Sequence, residues 1–280
     1  MQFTIKSMKE KDETPQLFGI NTGEEIPEAY FYSHKAWDSY MGNLWGSLLR
    51  FMNIGIDEAV IEVAPGASVK IALALSAIGF RGRLYVVDRV QSVLLQVEQN
   101  YRQLLPYAKI TFISKSLGQS LDELPRNPAC VLSNHPLDDM ILAAGAEIGQ
   151  LNELFGWTCR DEESFSTLSK KIWDEIERSP QQLGKIKESV VNEWSDMLNV
   201  LHPRWCALSQ YNSSVLQQSS MVTLNQHAAE LLALLRARHA KPGVEHVQLQ
   251  HLFNSHKNYN NIHIGREVLD AAHWLVFNNP

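Results

Sequence analysis

Between residues 59 and 146 the chain alternates four short apolar runs with four helical patterns, and this rhythm constrains the fold more than any other feature. The runs 59–64, 83–88, 109–113 and 129–133 are rich in Val, Ile, Leu, Tyr and Phe and predict strands. Residues 69–80, 90–105, 120–124 and 138–146 carry the longer apolar period of helices. Strands joined through helices run parallel, and the crossover helices cover both faces of the sheet. Runs at 204–210, 244–253 and 273–277 predict three more strands. The expected fold is α/β: a three-layer, Rossmann-like, seven-stranded, mostly parallel sheet with helices on both faces.

The remaining segments read differently. Residues 1–27 are polar and turn-rich, with a short candidate strand at 2–5. From 32 to 52 the apolar residues Trp37, Met41, Leu44, Leu48 and Met52 fall at helical spacing, and Ser33 is placed to cap that helix. Tyr30, Phe31, Tyr32, Trp37, Tyr40 and Trp45 make this region unusually aromatic. Later, 164–177 and 181–201 predict two helices with no strand between them, separated at Pro180. A further long helix is expected over 213–238, ended by the run His239 to Gly243. We therefore divide the chain into an N-terminal helical arm (1–55) and a main domain (56–280) with a helical insertion at 150–203. In an open parallel sheet the ligand lies beyond the carboxyl ends of the strands. The arm and the insertion are expected to form a lid there.

Several functions are disfavoured. A formal charge of -6 argues against a nucleic-acid surface, which needs clustered Lys and Arg. Cys130, Cys159 and Cys206 are scattered thiols of the kind found in a reducing cytoplasm, and no signal peptide is expected because the early residues are charged. The best apolar stretch, 59–80, is broken by Glu62, Pro65 and Lys70, so no membrane span is expected. His239, His246, His251, His256, His263 and His273 match no compact ligand spacing, so no metal is expected. Gly-x-Gly-x-x-Gly, Gly-Lys-Ser/Thr and Gly-x-Ser-x-Gly are all missing.

What the chain does offer is an acid at the end of the second strand, Asp88, after a βα turn. A carboxylate there suits a ribose diol, and equally well caps the following helix. The turn itself is Glu62-Val63-Ala64-Pro65-Gly66-Ala67-Ser68, and the loop after the fourth strand is Ser133-Asn134-His135-Pro136-Leu137-Asp138-Asp139. With the order of elements, these three features resemble the class I S-adenosylmethionine-dependent methyltransferases over roughly 56–280. The resemblance implies S-adenosylmethionine as cofactor. Glu62 and Gly66 match the family's acidic and glycine positions, while Ala64 and Ser68 replace its flanking glycines. Asp88 matches the ribose acid, with Arg89 beside it. Asn134 and Pro136 match an Asn-Pro-Pro-Tyr type of loop that faces the transferred group. His135 and Leu137 depart from that pattern.

Under the resemblance Asn134 orients an amine, His135 takes a proton, and Asp138 and Asp139 hold a cationic ammonium or sulfonium. The acids serve equally as first-turn residues complementing a helix dipole. Trp37 and Tyr40 are either core or an aromatic face over a sulfonium, and Tyr211 points to the same end. The expected activity is methyl transfer to a small molecule by a cytoplasmic enzyme, with a homodimer possible. One alternative is attack on the cofactor's γ-carbon, which gives azetidine-2-carboxylate and methylthioadenosine in a cyclase branch of similar enzymes. Aminocarboxypropyl transfer is a variant of it. A non-catalytic cofactor-binding protein is the other alternative.

Overall fold

The computed structural model describes residues 34–156, 162–211, 221–239, 246–256 and 269–278. The described elements, in chain order, are α1 (His34–Phe51), β1 (Ala59–Val63), α2 (Lys70–Ala77), β2 (Arg83–Asp88), α3 (Gln91–Leu104), β3 (Lys109–Ser114) and α4 (Leu117–Ser120). There follow β4 (Cys130–Asn134), α5 (Leu137–Gly145), α6 (Ile148–Gly156), α7 (Glu162–Glu177), α8 (Pro180–Leu201) and β5 (Trp205–Ser209). The chain closes with α9 (Val222–His239), α10 (His246–Asn254) and β6 (Trp274–Asn278). The candidate strand at 2–5, the Ser33 cap, Tyr30 to Tyr32, Cys159, His263 and the run 240–243 lie outside the described residues.

The strands form one sheet in the order β3-β2-β1-β4-β5-β6. The first five pair in parallel, and β6 runs antiparallel to β5. The order reverses between β1 and β4, and the crevice beyond such a reversal is where open α/β sheets take ligands.

Among the described residues the sheet has six strands, not seven. Of the expected strand at 244–253, the described residues 246–253 belong to helix α10. Its buried residues Leu249 and Phe253 are four apart, one helical turn, while Val247 is exposed. A period near 3.6 therefore decides that segment. Helix α6 was not anticipated, because 148–156 is short and carries no capping signal.

Side chains alternate across the sheet, so each strand feeds two cores. Val60, Val86 and Leu132 join Tyr101, Leu75 and Trp45 under helices α1, α2 and α3. Ile61, Val63, Val87 and Val131 join Ile141, Trp194 and Leu231 under α5, α8 and α9. This is the expected three-layer arrangement.

The arm and the insertion belong to these layers. From Tyr40 onward α1 is a core helix: Met41, Leu44, Trp45 and Leu48 have no exposed surface. It lies close against α2 through two glycines one turn apart. A Cβ on Gly42 would meet the Leu73 Cβ at 2.8 Å, and one on Gly46 would contact Ala74. Helix α8 buries Ile186, Val190, Trp194 and Leu198 against the other side. Ser179 accepts from the Gln182 N–H at 3.4 Å at its start, and His202 ends it in the left-handed region. A free-standing lid is not what these segments build. No helix among the described residues is long and apolar enough to cross a membrane.

Candidate functional site

The chain leaves β1 through a turn with two left-handed residues, Ala64 (φ 50°) and Gly66 (φ 59°). The turn starts pinned to its neighbours. The Ala64 N–H donates to Val87 O at 2.8 Å, and the Ser133 hydroxyl donates to Val63 O at 2.5 Å. A Cβ built on Gly66 would find nothing within 4 Å, so its α-carbon faces open space. Asp88 closes β2 beside it. One carboxylate oxygen accepts from the Val90 N–H at 2.8 Å, and the Gly66 N–H donates to the same carboxylate. Burial pushes Asp88 up to about 6, against the pull of those two bonds. A carboxylate has about four acceptor sites, and among the described residues these two N–H groups are the donors it meets.

The open space is a cleft with ≈ 90 Å³ accessible to the centres of water-sized molecules, and ≈ 750 Å³ when the adjoining open solvent is counted. Its floor is Val63, Ala64, Gly66 and Asp88; its apolar walls include Val90, Val93, Leu117, Met140, Phe155 and Val190. Asp139 and Glu193 add carboxylates, and Arg89 and Lys115 add cations. Arg89 is held by the Ala143 carbonyl at 2.9 Å, and Lys115 is paired with Glu123. The Met140 sulfur accepts from the Trp194 indole N–H at 3.2 Å, which fixes one wall. Burial raises Asp139 well above the usual carboxylate range, and the Asp138 and Asp88 charges add to it. Burial also raises Glu193.

The structure thus brings Ala64, Gly66, Asp88, Arg89 and Asp139 into one cleft. The other expected site residues do not line it. Glu62 points to the opposite face of the sheet, under α1 to α3. The Tyr101 hydroxyl sits 3.0 Å from each of its carboxylate oxygens, and Ser68 presents its carbonyl to the same hydroxyl at 3.3 Å. Burial raises Glu62 to about 8.

The loop after β4 is engaged with its own neighbours. The Asn134 Oδ1 accepts from the Trp45 indole N–H at 3.0 Å and from the Ser209 hydroxyl at 3.2 Å. An indole nitrogen can only donate, so the oxygen assignment stands and both its lone pairs are used. The Asn134 side-chain oxygen therefore has no lone pair left for the amine that the loop was expected to orient. His135 stands in the left-handed region (φ 58°). Its Nε2 lies 2.5 Å from Tyr211 O and its Nδ1 3.2 Å from the Asp138 carboxylate. Burial alone would lower His135, but the Asp138 charge outweighs it and raises the imidazole to about 10. A cation with both N–H groups donating has no lone pair, so the general-base role fails on geometry and charge together. Asp138 is held ionised by His135, despite burial, and also accepts from the Gln210 amide at 3.1 Å. Gln210 in turn accepts from the Leu137 N–H at 2.8 Å, capping α5. Trp37 stacks on Tyr40 (5.7 Å between centroids), and Tyr211 meets Trp37 edge-on at 5.8 Å and His135 at 4.2 Å.

Several cleft residues had no sequence signal. Glu193 is one of many charged residues on α8, and Phe155 belongs to the unanticipated α6. Lys115 and Leu117 follow the third strand, a position that the strand-end rule for ligands would have flagged. Among the described residues no three His, Cys, Asp or Glu side chains gather as a metal site, and Cys130 and Cys206 are buried free thiols.

No protein-family model matches the chain, and no curated protein matches it either. Among solved structures, it is similar to a cyclopropane-fatty-acyl-phospholipid synthase-like protein from Lactobacillus casei ATCC 334, with 10% identity and a TM-score of 0.34. That match covers 62% of this chain and 50% of the other, so the chain spans about half the length of that protein.

Proposed function

We propose that the protein is an S-adenosylmethionine-dependent enzyme acting on a small molecule, with methyl transfer as its reaction. One observation carries the reading. The acid that ends β2 borders a cleft at the reversal of strand order, beside a turn whose glycine faces that cleft, and the described residues fill only two of its acceptor sites.

The residues present fit the group. Asp88 would accept from both ribose hydroxyls, charge-assisted hydrogen bonds of the stronger kind. Gly66 would let the cofactor approach the β1 turn, and Leu117, Met140 and Phe155 would enclose a flat apolar base. Asp139 would sit near positive charge, which stabilises a carboxylate otherwise disfavoured by burial. When bound, the sulfonium supplies an electrophilic carbon to a nucleophile held in line. Asn134, His135 and Asp138 then support the loop rather than touch the acceptor.

The test is calorimetric titration with S-adenosylmethionine and S-adenosylhomocysteine. Binding is expected, and Asp88→Ala should weaken it by about 2 kcal/mol, some thirtyfold. No heat and no thermal shift with either ligand would sink the reading. Product analysis separates the chemistries. S-adenosylhomocysteine formed only with an added acceptor supports methyl transfer. Methylthioadenosine formed from the cofactor alone replaces it with γ-carbon attack.

A further inference from the structure

On the reading that the cleft holds an adenosine-bearing cofactor, we propose that Glu193 of α8 reads the base, accepting a hydrogen bond from the 6-amino group of adenine and so selecting adenine over bases without that donor.

The cleft has two unlike ends. Toward β4, Asp139 feels the charges of Asp138, Asp88, His135 and Lys70. Toward β3, the walls Val93, Leu117 and Val190 are apolar and stand on α3, α4 and α8. With the ribose on Asp88, a flat base is favoured at the apolar end, where it leaves water against apolar surface. Among the acids of the cleft, Glu193 is the one placed there. It follows Val190 by three residues, so the two share a face of α8, and both line the cleft.

The carboxylate is fixed from the β3 side. Leu117 opens α4 just after the β3 loop, and the next N–H, that of Gly118, donates to Glu193. A Cβ on Gly118 would meet the Glu193 Cγ at 3.9 Å, so the two helices touch at this point. That bond uses one of about four acceptor sites. Arg89 is near enough to favour the ionised form, while its guanidinium bonds the Ala143 carbonyl at 2.9 Å. A carboxylate beside apolar walls is disfavoured unless donors reach it. On the edge of a purine an amine supplies such a donor, a ring C–H does not, and a carbonyl oxygen repels the acid. If Glu193 only capped α4, it would use the Gly118 bond and draw no distinction between bases.

The experiment titrates wild type, Glu193→Gln and Glu193→Ala with S-adenosylhomocysteine and with its analogue carrying hydrogen in place of the 6-amino group. Wild type should bind the parent roughly tenfold tighter than the analogue, the scale of a hydrogen bond to a charged group. That preference should shrink in Glu193→Gln, which keeps an acceptor oxygen without the charge, and vanish in Glu193→Ala. Equal binding of the two ligands by wild type overturns the assignment. So does a preference undiminished in either variant, because loss of a mere helix cap weakens both ligands by the same factor. If wild type binds neither ligand, the cofactor reading falls and the assignment falls with it. Failure to discriminate while S-adenosylhomocysteine still binds strikes the assignment alone.

Discussion

The tips of β1–β2 and of β4–β5 flank the same reversal of strand order, and both carry acids and turn residues, yet they spend their hydrogen bonds differently. At the first tip the described residues fill only part of Asp88's acceptor capacity, Gly66 faces open space, and a cleft forms. At the second, Asn134, His135, Asp138, Gln210 and Tyr211 satisfy one another across β4 and β5. A polar residue at a strand end becomes a ligand group only where the chain leaves its bonding incomplete. Adjacent residues show the difference at its sharpest. Asp138 turns inward onto a buried imidazolium, and Asp139, one residue on, turns into the cleft, where no described residue bonds its carboxylate.

Removing the inward acid should have the largest effect. Asp138→Ala leaves a buried imidazolium without its counter-charge, which costs roughly 3–5 kcal/mol of stability by denaturant unfolding. The loss depends on pH. Asp138 is lowered in the fold and His135 raised to about 10, so their mutual stabilisation is present from mild acid upward, and it fades as pH rises toward the folded value of His135. Cofactor affinity of the folded fraction should be nearly unchanged. Weakened binding with undiminished stability would erase the distinction between the two tips.

The outward acid should behave in the opposite sense. Asp139 is raised by burial, so the folded state resists its ionisation, and stability declines as pH climbs past the ordinary carboxylate value. Asp139→Asn should therefore raise the melting temperature at neutral pH and leave it unaltered in strong acid, while weakening the cofactor. A variant that melts lower at neutral pH would mean that Asp139 has an internal partner after all.

Much of this was legible in the chain itself. The strand–helix rhythm from Ala59 onward, with Asp88 closing its second apolar run, and the helix over Trp37 to Met52 follow from short apolar runs and a period near 3.6, which local sequence displays. The direction in which Glu62 and Asn134 point was not legible. Glu62 shares its side of β1 with Val60, so alternation alone sends it away from the cleft, but the strand pattern does not say on which face a cleft will open. Asn134 depends on Trp45, 89 residues earlier. Such a pair is fixed by tertiary packing and leaves no mark on the loop. Segment 244–253 failed for a different reason, since a short apolar run fits both periods until its packing partners choose one.

The smallest expected effect tests whether the first tip is shaped for its ligand or merely tolerates its residue. Ala64 holds a left-handed conformation that costs an L-residue roughly 1–2 kcal/mol, while glycine adopts it freely and loses about 0.5–1 kcal/mol to chain entropy. Ala64→Gly should therefore stabilise the protein by less than about 1 kcal/mol. Gly66→Val runs the other way, because a β-branched residue is strained at that φ although space is open around it. If Ala64→Gly also leaves cofactor affinity intact, the methyl group is incidental to binding and the turn tolerates its missing glycine. If affinity falls while stability rises, that methyl group touches the bound molecule, and the strain at Ala64 is retained for the contact it makes.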